Sequence, residues 1–136
     1  MSITTDLNTL RDHLCDVRIP DDMAGDDALE VMRCMLAMRG VVDYLAAMVT
    51  GALDRCGVAA SQGRTLRELL ITLGCAPAVA ARLVRIGAAL PSLPTLAAHA
   101  ADGTIPSEHV DAIVKGINHI QARAPDRSTK KPGSRR

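Results

Sequence analysis

A histidine side chain can bind a metal or transfer a proton, and three of the four histidines are regularly spaced. They recur at intervals of ten residues, at His99, His109 and His119. Helical side chains ten residues apart do not converge on one ion, and Glu108 beside His109 points to a different helix face. We therefore expect surface or capping histidines, and the sequence predicts no metal site.

The cysteines, at positions 15, 34, 56 and 75, have neither metal-binding nor redox spacing. Neither Cys56 nor Cys75 has a base close in sequence that would activate it as a nucleophile. Three of the four lie in or beside apolar helical patterns, so we expect buried, reduced thiols in a cytoplasmic protein. No catalytic residue and no cofactor are predicted.

The arginines offer a different chemistry, contact with nucleic acid. Residues 65–90 have helix–turn–helix spacing, with two short helices joined at Gly74. The second helix carries Arg82 and Arg85 but otherwise mainly Ala and Val, and it lacks the Asn, Gln, Ser or Lys that often contact base edges. A purely structural hairpin is favoured, and DNA binding is the alternative. The candidate DNA contacts are Arg64, Arg67, Arg82, Arg85, Lys130 and Lys131.

Composition and charge limit the classes of function. Apolar residues make up 48% of the 136 residues and Tyr44 is the only aromatic, which argues against base-stacking nucleic-acid sites. Residues 1–63 contain ten acids and five bases, whereas residues 64–136 contain five acids and eleven bases, six of them in the last fourteen residues. We predict a helical domain over 1–122 and a basic, disordered tail over 123–136.

The segment 27–56 is the element around which the other helices should be arranged. Its apolar residues follow alternating steps of four and three, the spacing of one helix face. We call this row the apolar seam, with principal members Val31, Met35, Met38, Val42, Leu45 and Val49. A second apolar row lies beside it, so the helix should be covered on most sides by the later helices or by a second copy.

The seam is therefore the candidate homodimer surface. A membrane span is not expected, because the longest uncharged run within this helix, residues 44–53, is about half of what a bilayer requires.

Capping and turn residues divide the remaining chain into shorter helices. A first helix is predicted over 2–17, capped by Thr4 or Thr5. Thr65 with Glu68 forms a capping box, Pro77 suits a first helical turn, and Ser107 should cap the last helix. No strand pattern is present. The predicted fold is an all-α bundle of about six helices around the long one.

Residues 63–117 resemble the mycobacterial 13E12 repeat family, the actinobacterial helical domain of unknown function 222 that precedes HNH endonuclease modules. The similarity extends over about residues 25–122. It rests on the Leu-rich helix ending at Gly74, the Ala/Arg helix with Arg82 and Arg85, the pair Leu93-Pro94, and the turn from Gly103 through Ile105 to Ser107, Glu108 and His109.

The resemblance implies a helical module from which the nuclease is missing, a truncated copy. An HNH site needs two histidines and an asparagine on two strands and a helix, whereas Asn118-His119 lies on a predicted helix. No catalytic residue is therefore carried over. We predict a non-catalytic helical module that self-associates through the apolar seam, with weak DNA contact as the alternative and with no small-molecule substrate.

Overall fold

The fold is known from a computed structural model, which describes residues 2–123. The α-helices are α1 (Ile3–Cys15), α2 (Gly25–Arg55), α3 (Val58–Ser61), α4 (Leu66–Thr72), α5 (Pro77–Ala89), α6 (Pro94–Ala101) and α7 (Ser107–Arg123), and a 3-10 turn, Leu90–Ser92, joins α5 to α6. The all-α prediction is confirmed, because the described residues contain no strand. The predicted tail lies outside the described residues, apart from Arg123.

Capping residues, prolines and glycines determine most of the helix boundaries. Thr65 caps α4 as predicted, because its hydroxyl oxygen accepts the backbone N–H of Glu68 at 3.1 Å, and Pro77 opens α5. Gly57 follows α2 with a φ of 66°, a left-handed conformation that glycine adopts with little strain. Helix α4 therefore ends close to Gly74, as predicted, and α2 also ends at a glycine.

The structure corrects three local predictions. Helix α1 is capped by Ser2, whose side chain accepts the N–H of Thr5, so neither predicted threonine is the cap. Ser107 donates its hydroxyl to the carboxylate of Asp43 at 2.7 Å instead of capping α7. Helix α3 was not predicted, because four residues are too few to show a helical period.

The chain divides into two compact units, and the boundary falls inside α2 between Arg33 and Cys34. In the first unit, α1 contributes no buried side chain. Its leucines at positions 7, 10 and 14 are exposed.

The second unit holds the hydrophobic core. Helices α4, α5 and α7, with the 3-10 turn, supply its larger side chains, whereas α2 and α6 contribute alanines. The buried members of the cluster are Ala47, Leu70, Ala80, Leu83, Ile86, Leu90, Ala100, Val110 and Val114.

Helix α2 enters this core through its smallest residues. Only Gly40, Ala47 and Thr50 of α2 are buried. A β-carbon built on Gly87 of α5 would lie 2.5 Å from the carbonyl oxygen of Ala47 and 3.3 Å from the backbone nitrogen of Gly51. The backbones of α2 and α5 are therefore almost in contact, and glycine at position 87 is what allows this crossing.

We predict that Gly87→Ala destabilises the protein by about 2 kcal/mol in denaturant unfolding. Forcing extra volume into a packed site costs about 1–3 kcal/mol, and the obstacle here is backbone that cannot rotate away. The gain in helix propensity of about 1 kcal/mol offsets only part of this cost.

The matched control is Gly116→Ala in α7, where a β-carbon would meet nothing within 4 Å. This substitution should be neutral or should stabilise the protein by up to about 1 kcal/mol through helix propensity. Equal effects of the two substitutions would contradict the close crossing.

Candidate interaction surfaces

The apolar seam lies on the outward face of α2. Val49 is two residues beyond the buried Ala47, which places it about 200° around the helix and so nearly opposite. Met35, Val42 and Val49 have exposed fractions of 52%, 53% and 58%. Leu45 is also exposed, whereas Val31 and Met38 are half-buried.

Of the two predicted covers of the seam, the later helices and a second copy, this exposure rules out the later helices. Counting large apolar residues identified one side of α2, but the chain packs the other side, where Gly40, Ala47 and Gly51 permit close backbone approach. A helix that packs through small residues comes nearer to its neighbours than one that packs through leucines. The large side chains are consequently left facing outward.

The helices predicted as a helix–turn–helix, α4 and α5, are joined by a short turn at Gly74. Arg85, on α5, forms two parallel hydrogen bonds to the carboxylate of Asp111 on α7, each 2.9 Å long. Arg82 lies 3.7 Å from Glu108, which also accepts a 2.6 Å hydrogen bond from Arg39 of α2. The two arginines predicted to contact DNA are thus paired with carboxylates of α7.

The remaining candidate DNA contacts are differently placed. Arg64 donates a hydrogen bond to the hydroxyl of Thr72 at 2.8 Å, and Arg67 is exposed on α4. Lys130 and Lys131 lie outside the described residues.

The carboxylates of this cluster have lowered pKa values. Hydrogen bonds from Arg85 lower the pKa of Asp111 from its ordinary value, against the opposite effect of burial. A backbone hydrogen bond at Glu108, helped by the charges of Arg39 and Arg82, lowers the pKa of Glu108. Both groups are therefore charged at neutral pH, and they link α7 to α5 and α2 within the second unit.

The cysteine thiols are more exposed than predicted. Cys15, Cys34 and Cys56 are exposed and Cys75 is half-buried. Three of these residues sit on exposed helix faces or ends that sequence periodicity did not distinguish from the core. His99, His109 and His119 are exposed, as expected of surface histidines.

In the part of the chain that the structure describes, no group of three or more His, Cys, Asp or Glu residues could hold a metal ion. An open groove of about 400 Å³ runs between α6 and α7, lined mainly by Leu93, Pro94, Leu96, Ile113 and Ile117. Its lining is mainly apolar, with Ser92, Thr95 and His99 as the polar members.

Among the described residues one helix, α2, is long and apolar enough to cross a membrane. Core helices of soluble proteins pass the same test of length and composition. Arg39 and Asp43 lie in its middle, and both interact with α7. The expectation that α2 does not span a membrane stays a prediction.

We predict that Asp111→Asn destabilises the protein by about 1–3 kcal/mol at pH 7, because Arg85 loses a charged, bidentate partner. A carboxylate with a lowered pKa stabilises the fold fully above its unfolded pKa, near 4, and this contribution disappears as the pH falls through the folded value. The difference in unfolding free energy between wild type and variant should therefore shrink below about pH 4.

The control is Asp12→Asn in α1, whose carboxylate is exposed and 3.5 Å from Arg11. An exposed pair of this kind contributes little, so this variant should match wild type at every pH. A difference for Asp111→Asn that does not change with pH would contradict the ion-pair explanation.

Comparison of the chain with protein-family models, with curated proteins and with solved structures found no match. The resemblance of residues 63–117 to the 13E12 repeat family is therefore untested and stays a prediction.

Proposed function

We propose that this protein is a non-catalytic helical module that self-associates through the apolar seam of α2. The observation that carries the proposal is the outward position of the seam, with Met35, Val42, Leu45 and Val49 all exposed. On the opposite side, α2 packs into the core of the second unit through Gly40 and Ala47. A second copy can reach the seam without displacing that core.

The spacing of the seam suits pairing with another helix. Apolar residues at alternating steps of four and three form the contact row of a two-stranded coiled coil. A helix at a solvated surface normally presents polar residues outward, whereas α2 presents valine, leucine and methionine. Extended apolar surfaces of this kind are usual at interaction sites.

The resemblance to the 13E12 repeat family agrees with this role. It supports a cytoplasmic relative of nuclease-associated proteins, in which the helical region is an association module. The proposal of self-association does not depend on this kinship, because it rests on the exposed face of α2.

Val42→Glu should weaken self-association by at least about tenfold. The substitution removes an apolar contact from each copy and brings a carboxylate from each copy into the interface, and tenfold corresponds to about 1.4 kcal/mol. Sedimentation velocity over a range of concentrations measures the change. The fold should persist, because Val42 is exposed.

Leu73→Glu is the matched control, since Leu73 is 69% exposed at the end of α4 and lies outside the seam. It should associate like wild type. Wild-type protein that sediments as a monomer at the highest soluble concentration would overturn the proposal, as would equal weakening by both substitutions.

DNA binding by residues 65–90 remains the alternative function. The adjacency of α4 and α5 and the exposure of Arg67 favour it. An observation argues against it. Arg85 would have to release Asp111, and Arg82 would have to release Glu108, before either arginine could contact phosphate. Few cations then remain on this hairpin, and each phosphate contact contributes about one unit to the salt dependence of binding.

We expect no binding to duplex DNA at moderate salt in an anisotropy titration, and only weak binding at low salt. Binding that persists after removal of residues 123–136 and that falls with Arg67→Gln would support the hairpin as a DNA reader. Loss of all binding on removal of those residues would assign it to them.

A further inference from the structure

We propose that the self-association surface extends from the apolar seam onto helix α6, and that Leu45 of each copy enters a groove between α2 and α6 of the other copy. This inference rests on the proposed self-association and adds a second part to the interface. The groove and the part of the seam from Met35 to Val49 both lie in the second unit.

The exposed seam residues of the second unit are too few to form a stable dimer alone. Met35, Val42, Leu45 and Val49 are each about half exposed. Burying a whole aliphatic side chain removes at most about 100 Å² of apolar surface from water, so these four supply on the order of 200 Å² per copy. Specific, stable interfaces bury about 800 Å² per partner. An interface that contains the seam must therefore include surface beside it.

A groove of about 350 Å³ provides such a surface between α2 and α6. Among the described residues that line it none is charged, and on the α6 side the side chains are small. The lining includes Tyr44, Met48, Pro91, Pro94, Ala97 and Ala98. The groove can therefore receive aliphatic side chains from another helix.

The groove and the seam are adjacent on α2. Met48, which lines the groove, is three residues from Leu45, and residues three apart lie side by side on a helix. Val41 and Ala52 fall between these two positions around the helix, and both are apolar. The apolar surface is thus continuous from α6 through Met48 to the seam.

A second copy suits this surface because two-fold symmetry lets each copy supply both parts. In an isologous contact, a seam residue that meets the groove of the other copy is matched by the same contact in return. Leu45 lies within three residues, or about 5 Å along the helix axis, of the groove residues Tyr44 and Met48. Two copies of α2 that cross at this level bring each Leu45 against the groove of the other.

The chemistry of the groove favours an apolar side chain over a charged ligand. A buried charge costs free energy unless it is paired, and the described lining offers only the hydroxyl of Tyr44 as a polar side-chain group. The groove between α6 and α7 differs in both respects. It is lined by Thr95 and His99, and no residue of α2 is among its described lining. It is therefore not continuous with the seam.

Ala98→Arg tests the groove contact. Ala98 is exposed and lines the groove, and arginine has nearly the helix propensity of alanine, so the fold should persist. In the dimer the long charged side chain would be buried in both grooves. We expect association at least about tenfold weaker than that of wild type, measured by sedimentation velocity over a range of concentrations. Circular dichroism checks the helical content.

Ala122→Arg is the matched control. Ala122 is also an exposed helical alanine, near the end of α7 and outside both the groove and the seam. It adds the same charge and volume, and it should associate like wild type. Equal weakening by the two substitutions would show a general effect of charge and would overturn the groove contact.

The groove contact and the self-association can fail separately. If Val42→Glu weakens the dimer and Ala98→Arg does not, the groove contact is overturned and the self-association stands. The groove would then be open to an occupant other than a second copy. A monomeric wild-type protein overturns both proposals.

A chemical cross-link tests the contact directly. In a background with the four native cysteines replaced by alanine, Leu45→Cys chains are mixed with Ala98→Cys chains and treated with a short bismaleimide. We expect a covalent heterodimer on a denaturing gel, and little product when Ala122→Cys replaces Ala98→Cys. Absence of the heterodimer from a mixture that sediments as a dimer would overturn the inference.

Discussion

The contact between α2 and α5 decides the organisation of the second unit. At Gly87 the two backbones approach so closely that no β-carbon fits, and the residues that meet there, Ala47 and Gly51, are small as well. Dispersion energy rises with the number of close atom pairs, so a near-backbone crossing compensates for the small area that alanine and glycine bury. Because this crossing fixes the rotation of α2 about its axis, it also fixes which side chains face outward.

Polar side chains of α7 reinforce that arrangement. Asp111 holds Arg85 of α5, Glu108 holds Arg39 of α2, and the hydroxyl of Ser107 donates to Asp43. Each of these partners is distant in sequence. The arginines of α5 therefore have a structural explanation that does not require a nucleic acid, which is why the outward face of α2 is the better-supported interaction surface.

The sequence predicted what is determined locally. The cap at Thr65, the proline that opens α5 and Gly74 after α4 act within one helical turn, and all three are as expected. The face by which α2 packs against the core was not predicted, because a row of large apolar residues gives a stronger periodic signal than Gly40, Ala47 and Gly51. The pairing of Arg85 with Asp111 could not be predicted, because it depends on how α5 and α7 pack.

The two faces of α2 are consequently subject to different limits on substitution. On the inward face side-chain volume is restricted, since a methyl group on Gly51 would lie only 3.3 Å from the carbonyl oxygen of Gly87 on α5. On the outward face volume is free to vary, and only polarity would matter to a partner. Exchange among aliphatic residues there would leave the monomer unchanged, so this surface can diversify and change its specificity while the fold beneath it stays the same.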